Sequence, residues 1–123
     1  MVSIFLVEDD SEILELYKIQ LKYLGHTIID FAKDGDSAIK KYLSFSQKPD
    51  VIILDHRMPK KNGIEVMKEL MENGCRSSII VASADRSIKK LALDSGASFF
   101  LSKPFLLEEL KKTIEKIEFI KLK

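Results

Sequence analysis

Apolar residues along this chain gather in two kinds of segment. Short runs rich in β-branched residues, Ile4 to Val7, Val51 to Leu54 and Ile79 to Ala82, are bounded by polar or turn-forming residues and read as strands buried on both faces. Longer stretches space their apolar positions at the helical period: Ile13, Tyr17, Gln20/Leu21 and Leu24, then Ile64, Met67, Leu70 and Met71. Gly25, Gly74 and Gly96 each follow a helical pattern where a left-handed C-terminal cap belongs. With the weaker elements filled in, the pattern predicts strands over 2–7, 26–31, 50–55, 78–83 and 98–102, alternating with five helices. The last helix starts after Lys103-Pro104 and aligns Leu107, Leu110, Ile114 and Ile117 on one core-facing stripe.

Five βα units in succession imply an α/β fold: a doubly wound, five-stranded parallel sheet with right-handed crossovers and helices on both faces. Ligands of such sheets bind beyond the C-terminal strand ends. The 123 residues, 46% of them hydrophobic, fit one domain over 1–123 with a core of its own and no room for a second. Twenty basic against nineteen acidic side chains leave a net charge of +1, so no global field favours nucleic acid, an anionic membrane or an acidic substrate. The single cysteine, Cys75, has no bridging partner and no metal-ligand spacing to a histidine, and reads as an incidental surface thiol of a reduced, cytoplasmic protein. The opening MVSIFLVEDD meets carboxylates without a basic leader, and no apolar run approaches membrane-spanning length.

The chemically suggestive residues fall at the strand ends. Glu8, Asp9 and Asp10 end the first strand, Asp55 the third and Ser83 the fourth, while Lys103 follows the fifth. In the strand order 2-1-3-4-5 the first and third strands adjoin, which brings Asp9 and Asp55 close together. Two carboxylates roughly 4 Å apart repel by about 4 kcal/mol at an effective dielectric of about 20, so the cluster calls for a cation. Oxygen-only donors with room for water favour Mg²⁺, with Mn²⁺ as the alternative, over zinc. Acidic residues after a strand are often only N-caps or solvated loop charges, and Asp10 is read as the cap of the first helix. Asp9 with Asp55 is a different case, because two separate strands end in carboxylates at the ligand-binding edge. Lys103 alone reads as a surface lysine, but beside Ser83 it supplies a fixed cation. A carboxylate, a metal, a hydroxyl and an ammonium suit phosphoryl transfer, which asks mainly for in-line positioning and charge neutralisation.

Four motifs agree in order and spacing: FLVEDD at 5–10, ILDHRMPKKNG at 53–63, VASAD at 81–85 and GASFFLSKPF at 96–105. In the second, Met58-Pro59 stand three and four residues past Asp55 and Gly63 stands eight past it. On these residues the chain, from Ile4 to Ile120, resembles the response-regulator receiver domains of two-component signalling, in their standalone, single-domain form. The resemblance implies the flavodoxin-like (βα)5 fold with strand order 2-1-3-4-5. It implies that Asp55 accepts a phosphoryl group, that Asp9, Asp55 and the main-chain carbonyl of Arg57 bind Mg²⁺, and that Glu8 acts through water. Lys103 then pairs with the phosphoryl oxygens, Ser83 bonds another of them and Ala84 keeps access clear. Phe100 matches the aromatic switch position, whereas Phe99 alternates to the opposite face as core. The Lys103-Pro104 peptide is implied to be cis. The implied donor is a sensor histidine kinase or phosphotransfer protein docking near the first helix and the Pro104-Phe105 loop. The implied output is protein contact through the fourth helix, fifth strand and fifth helix, including Lys89, Lys90, Phe100 and Lys111, by a monomer or a phosphorylation-dependent dimer.

Departures from the commonest pattern add detail. Ser83 replaces a more frequent threonine and keeps its hydroxyl, Phe100 lacks a tyrosine's hydroxyl, and Ser77 stands where proline is frequent, a change read as neutral. Arg57 and Asp85 flank the site and are expected to pair over its mouth, hindering the attacking water and lengthening the phosphorylated lifetime. His56 alternates away from the acceptor and His26 opens the second strand, so neither is a phosphoryl relay. Catalysis beyond the chain's own phosphorylation and dephosphorylation is not expected: a haloacid-dehalogenase-type phosphatase needs an acid where Arg57 stands. A flavin or nucleotide binder of this fold needs a glycine- or hydroxyl-rich loop where Glu8, Asp9 and Asp10 stand. The remaining alternative is a constitutive, phosphorylation-independent interaction module.

Overall fold

Val51 to Asp55 is buried along its whole length because it runs through the middle of the sheet. The computed structural model describes residues 1–121. Its parallel strands are β1 (Ser3–Val7), β2 (Thr27–Ala32), β3 (Val51–Asp55), β4 (Ser78–Ser83) and β5 (Phe99–Ser102), in the order β2-β1-β3-β4-β5. The helices are α1 (Ser11–Tyr23), α2 (Gly35–Ser44), α3 (Gly63–Glu72), α4 (Lys89–Asp94) and α5 (Leu107–Lys121), with a 3₁₀ turn at Arg86–Ile88 leading into the short α4. The strand order and the five helices are those expected from the alternation of apolar runs, and the strand limits agree to within one residue.

Alternation along the strands divides the core into two layers. Phe5, Val7, Ile52, Leu54, Ile79 and Val81 pack with residues of α2, α3 and α4. Ile4, Leu6, Val51, Ile53, Ile80 and Ala82 pack with residues of α1 and α5. Helix starts are fixed by short polar side chains. Asp10 caps α1 by accepting from the Glu12 and Ile13 amides at 2.9 and 3.2 Å, Asp34 caps α2, and Asn62 forms a reciprocal capping box with Glu65 at α3. Gly25, Gly74 and Gly96 all adopt positive φ after α1, α3 and α4, the conformation that helix-ending glycines supply cheaply.

Several local expectations change in the structure. On α1 the buried stripe is Leu14, Tyr17 and Leu21, while Ile13, Gln20 and Leu24 are half-buried at its margins. Docking of α1 on the sheet layer of Ile4, Leu6 and Ile53 turns Leu14 inward. Phe99 does face away from Phe100, but it lies half-buried at the sheet's edge beneath the Lys116 ammonium, 5.9 Å from the ring centre, rather than deep in the core. Cys75 is half-buried against the α2-α3 layer and is no surface thiol. Ser77 is far from neutral: its buried hydroxyl meets the Tyr42 hydroxyl at 2.9 Å and donates to the Pro49 carbonyl at 2.6 Å, tying α2 to the loops at the N-terminal edge of the sheet. Among the described residues, no helix is long and apolar enough to cross a membrane.

A Cβ at Gly63 would lie 2.5 Å from the Asp55 carbonyl oxygen and 2.9 Å from the His56 Cα, both backbone atoms with no freedom to retreat. Gly63→Ala is expected to cost about 2 kcal/mol, seen as a lower urea midpoint; an unchanged midpoint would show slack in the β3-α3 loop. His26 Nδ1 accepts from the Val2 amide at 3.2 Å, and burial holds its pKa below the ordinary 6.5 despite the nearby Glu118 carboxylate. The folded state therefore favours neutral His26, so this contribution to stability is complete above the unfolded value and is lost as pH falls through the lowered folded value. Urea titrations from about pH 7 to about pH 5.5 should show a midpoint that declines more in the wild type than in His26→Gln.

Candidate functional site

Parallel pairing sets the strand ends level. Val7 pairs with Leu54, so Glu8 and Asp55 emerge side by side at the C-terminal edge of β1 and β3. Asp55 pairs with Ala82, which puts Ser83 one step beyond on β4; Ser83 pairs with Ser102 and its carbonyl accepts from the Lys103 amide at 2.9 Å. Four strands thus deliver Glu8, Asp9, Asp55, Ser83 and Lys103 to one edge. Carboxylate oxygens of Glu8, Asp9 and Asp55 all lie within 4.8 Å of one another.

Lys103 is the local counter-charge. Its ammonium donates to Glu8 at 2.7 Å and to Asp55 at 3.1 Å, from a side chain only 17% exposed. Glu8 is 1% exposed, and its second oxygen accepts from the Asp10 amide at 3.1 Å. Burial pushes the Glu8 and Asp55 carboxyls above the ordinary range; Lys103 opposes the rise at both, while Asp55 adds to it at Glu8 and Asp9 adds to it at Asp55. For Lys103 burial works against the charge, but the hydrogen bond to Glu8 and the charges of Asp55 and Glu8 outweigh it and hold the ammonium firmly protonated. One ammonium against three carboxylates leaves the edge negative, with Asp9 exposed toward solvent. Oxygen donors converging from two strands, with an open side for water, fit a hard divalent cation.

Around this cluster the remaining predicted residues fall into place to different degrees. Ser83, 3% exposed, accepts from the Asp85 amide at 3.0 Å, which leaves its proton to donate elsewhere. Asp55, Arg57, Ser83, Ala84, Asp85 and Lys103 line one opening, where exposed Ala84 presents only a methyl group. Arg57 and Asp85 do face each other, but at 3.9 Å with the arginine 81% exposed, so the ion pair is long and solvated. The loop that carries the Arg57 carbonyl is braced by hydrogen bonds from the Gly63 amide to the His56 carbonyl at 2.8 Å and from the Gly35 amide to the Pro59 carbonyl at 3.3 Å. Phe100 is half-buried and packs against the α2-α3-α4 layer, and the Lys103-Pro104 peptide is cis. Lys89, Lys90 and Lys111 are exposed, Lys90 pairing with Asp94 at 3.3 Å. His56 is half-buried and His26 lies by the N-terminus of β1, away from the acidic edge.

Sequence reasoning did not foresee the direct Glu8-Lys103 bond. The available signal was that Glu8 extends the apolar run of β1 by one step into a buried position. It also read Tyr17 only as part of an apolar stripe, although Tyr17, Ala84, Lys103, Pro104 and Phe105 line an apolar cavity of about 240 Å³ next to the site.

Comparisons with known proteins agree with this geometry. The family model described as the response regulator receiver domain matches residues 4–115. The response regulator MprA of Mycolicibacterium vanbaalenii is 37% identical over 111 residues, covering 89% of this chain and 47% of the relative. The probable C4-dicarboxylate response regulator DctR of Bacillus subtilis is 34% identical over 124 residues, covering 98% of this chain and 54% of the relative. The chain therefore spans about half the length of these curated relatives. Among solved structures, a CheX-CheY-BeF3-Mg complex from Borrelia burgdorferi superposes with a TM-score of 0.88 at 27% identity, covering 94% of this chain and 87% of that one. A receiver domain protein from Clostridium thermocellum gives 0.88 at 26% identity, covering 99% and 98%. With strand order, acidic edge and sequence all in agreement, this chain belongs to the response regulator receiver domains of two-component signalling.

Proposed function

We propose that this domain is a phospho-aspartate switch that takes a phosphoryl group onto Asp55 from a phosphohistidine of a sensor histidine kinase or phosphotransfer protein. The observation that carries the reading is the Lys103 ammonium held at 3.1 Å from Asp55, beside a converging set of carboxylates and the free proton of Ser83. An Asp55 carboxylate oxygen attacks phosphorus, the P–N bond of the donor breaks, and an acyl phosphate forms while the imidazole nitrogen leaves with the bonding electrons. Lys103 and Ser83 then meet the phosphoryl oxygens, and Ala84 leaves the approach open.

Asp9, Asp55 and the Arg57 carbonyl would hold Mg²⁺, with Mn²⁺ as a substitute and Glu8 acting beside them. When bound, that ion neutralises charge on the transferring oxygens. The chain's own residues supply the rest: Lys103 opposes the effect of burial and favours the ionised Asp55 carboxylate, and the braced β3-α3 loop holds the carbonyl. The CheY structure to which this fold is similar was solved with BeF3 and Mg, which supports the same reading here.

A phosphoryl group adds about −1.5 to −2 charges at Asp55. The Lys103 ammonium is drawn toward it, Ser83 turns its proton to a phosphoryl oxygen, and half-buried Phe100 moves into the space beside β4. The α4-β5-α5 surface with Lys89, Lys90 and Lys111 changes in consequence, as a population shift between two packings that a protein target reads. The chain acts as a signalling domain and catalyses only its own phosphorylation and dephosphorylation.

Incubation with a small acyl phosphate and Mg²⁺ should add one phosphoryl group by intact-protein mass spectrometry, abolished by chelation or by Asp55→Asn. No gain in the wild type, with Mg²⁺ binding demonstrated separately, would favour a constitutive interaction module instead. The long, solvated Arg57-Asp85 pair has limited leverage on the attacking water, so Arg57→Ala should shorten the phosphorylated lifetime by no more than about fivefold. A lifetime equal to the wild type's would remove the pair from the mechanism.

A further inference from the structure

The β3-α3 loop that carries the Arg57 carbonyl is held on both sides of that residue. The Gly63 amide closes it onto the His56 carbonyl at 2.8 Å, and the Pro59 carbonyl accepts from the Lys61 amide at 2.9 Å and from the Gly35 amide at 3.3 Å. The bond between Lys61 and Pro59 closes a three-residue turn on Lys60, whose φ of 71° lies in the left-handed region that suits glycine and strains lysine. A strained turn persists where its surroundings hold it. Here the Lys61 ammonium anchors the turn to α3 through Glu69 at 2.6 Å, and the start of α2 presses on the Lys61 main chain.

Gly35 makes that second contact possible. It is the buried first residue of α2, and it is not among the glycines of positive φ, so left-handed backbone does not call for a glycine there. Alanine is the better helix former. Space is what excludes it: a Cβ at Gly35 would lie 2.5 Å from both the Cβ and the carbonyl oxygen of Lys61, and 3.0 Å from its carbonyl carbon. Those atoms are main chain or rooted in it, and they cannot swing aside as the tip of a side chain could. An alanine at this position therefore displaces the turn from Pro59 to Lys61. The ring of Pro59 fixes its φ and removes one hinge that would absorb the movement, and Arg57 stands only two residues before it.

We infer that Gly35 is a positioning residue of the cation site: lacking a side chain, it seats the Pro59–Lys61 turn against α2 and thereby sets the Arg57 carbonyl. The inference rests on the reading above, in which that carbonyl binds Mg²⁺, and it adds a residue from a separate βα unit. Coupling between two sites is reciprocal, so Mg²⁺ in turn tightens the contact at Gly35.

The test compares wild type, Gly35→Ala and Gly25→Ala by urea titration and by calorimetry with Mg²⁺ alone. Gly25 is the control: it has a φ of 86° and open space around a Cβ, so its alanine variant strains the backbone without pressing on the loop. Both variants should show a lower urea midpoint. Gly35→Ala should bind Mg²⁺ roughly tenfold more weakly, whereas Gly25→Ala should bind it as the wild type does. In the wild type, Mg²⁺ should slow hydrogen exchange at the Gly35 amide more than at the Gly25 amide. Unchanged Mg²⁺ affinity in Gly35→Ala overturns the inference and leaves Gly35 a packing residue. An equal loss of affinity in Gly25→Ala also overturns it, because general loosening would then explain both. Where Gly35→Ala does not fold, the wild-type exchange decides, and equal slowing at the two amides overturns the inference. A wild type that binds no Mg²⁺ overturns the cation site of the reading above, and this inference with it.

Discussion

The ion triad of Glu8, Lys103 and Asp55 is the constraint on which the functional edge depends. Two buried carboxylates side by side are unfavourable by themselves, and a nearly buried ammonium would be unfavourable alone. Together they satisfy one another at 2.7 and 3.1 Å, and they do so across 95 and 48 residues of sequence. The triad ties the end of β1 to that of β3 and to the segment after β5. It is also the part of the structure whose balance any new charge on Asp55 must upset.

The opposite edge of the sheet has a different character. There the Tyr42-Ser77-Pro49 hydrogen bonds and those of Asp50 with the Ser3 amide and hydroxyl tie separate segments together. Asp50 also pairs with the Lys121 ammonium at 2.8 Å, a more exposed ion pair than those of Lys103. The two core layers between them are filled by branched aliphatic residues on both faces of β3. Between these two edges both faces of the sheet are closely packed.

Legibility from sequence followed how locally each feature was determined. Runs such as Val51 to Leu54 announce a central strand because no solvent-facing position interrupts them, and Asp10 could be read as a cap because capping involves neighbours three residues apart. Ser77 was misjudged because its partners, Tyr42 and the Pro49 carbonyl, are distant in sequence. The inward residue of α1 was misjudged by one position, since an apolar pattern containing Ile13, Leu14, Tyr17 and Leu21 admits two phases and only docking on the sheet chooses between them. The motif resemblance named the candidate site residues correctly as neighbours, but it was silent on Glu8 binding Lys103 directly and on the close seating of Gly35 against Lys61.

The sequence by itself determined the alternation of strands and helices, the turn positions and the presence of chemically matched side chains at successive strand ends. Those features depend on backbone periodicity, capping and glycine geometry, all acting over a few residues. Only the tertiary structure decided which charges neutralise which, how long the Arg57-Asp85 pair is, and which hydroxyls find partners. Such interactions vary steeply with distance and burial, and both quantities exist only once β1, β3, β4 and β5 have been brought side by side.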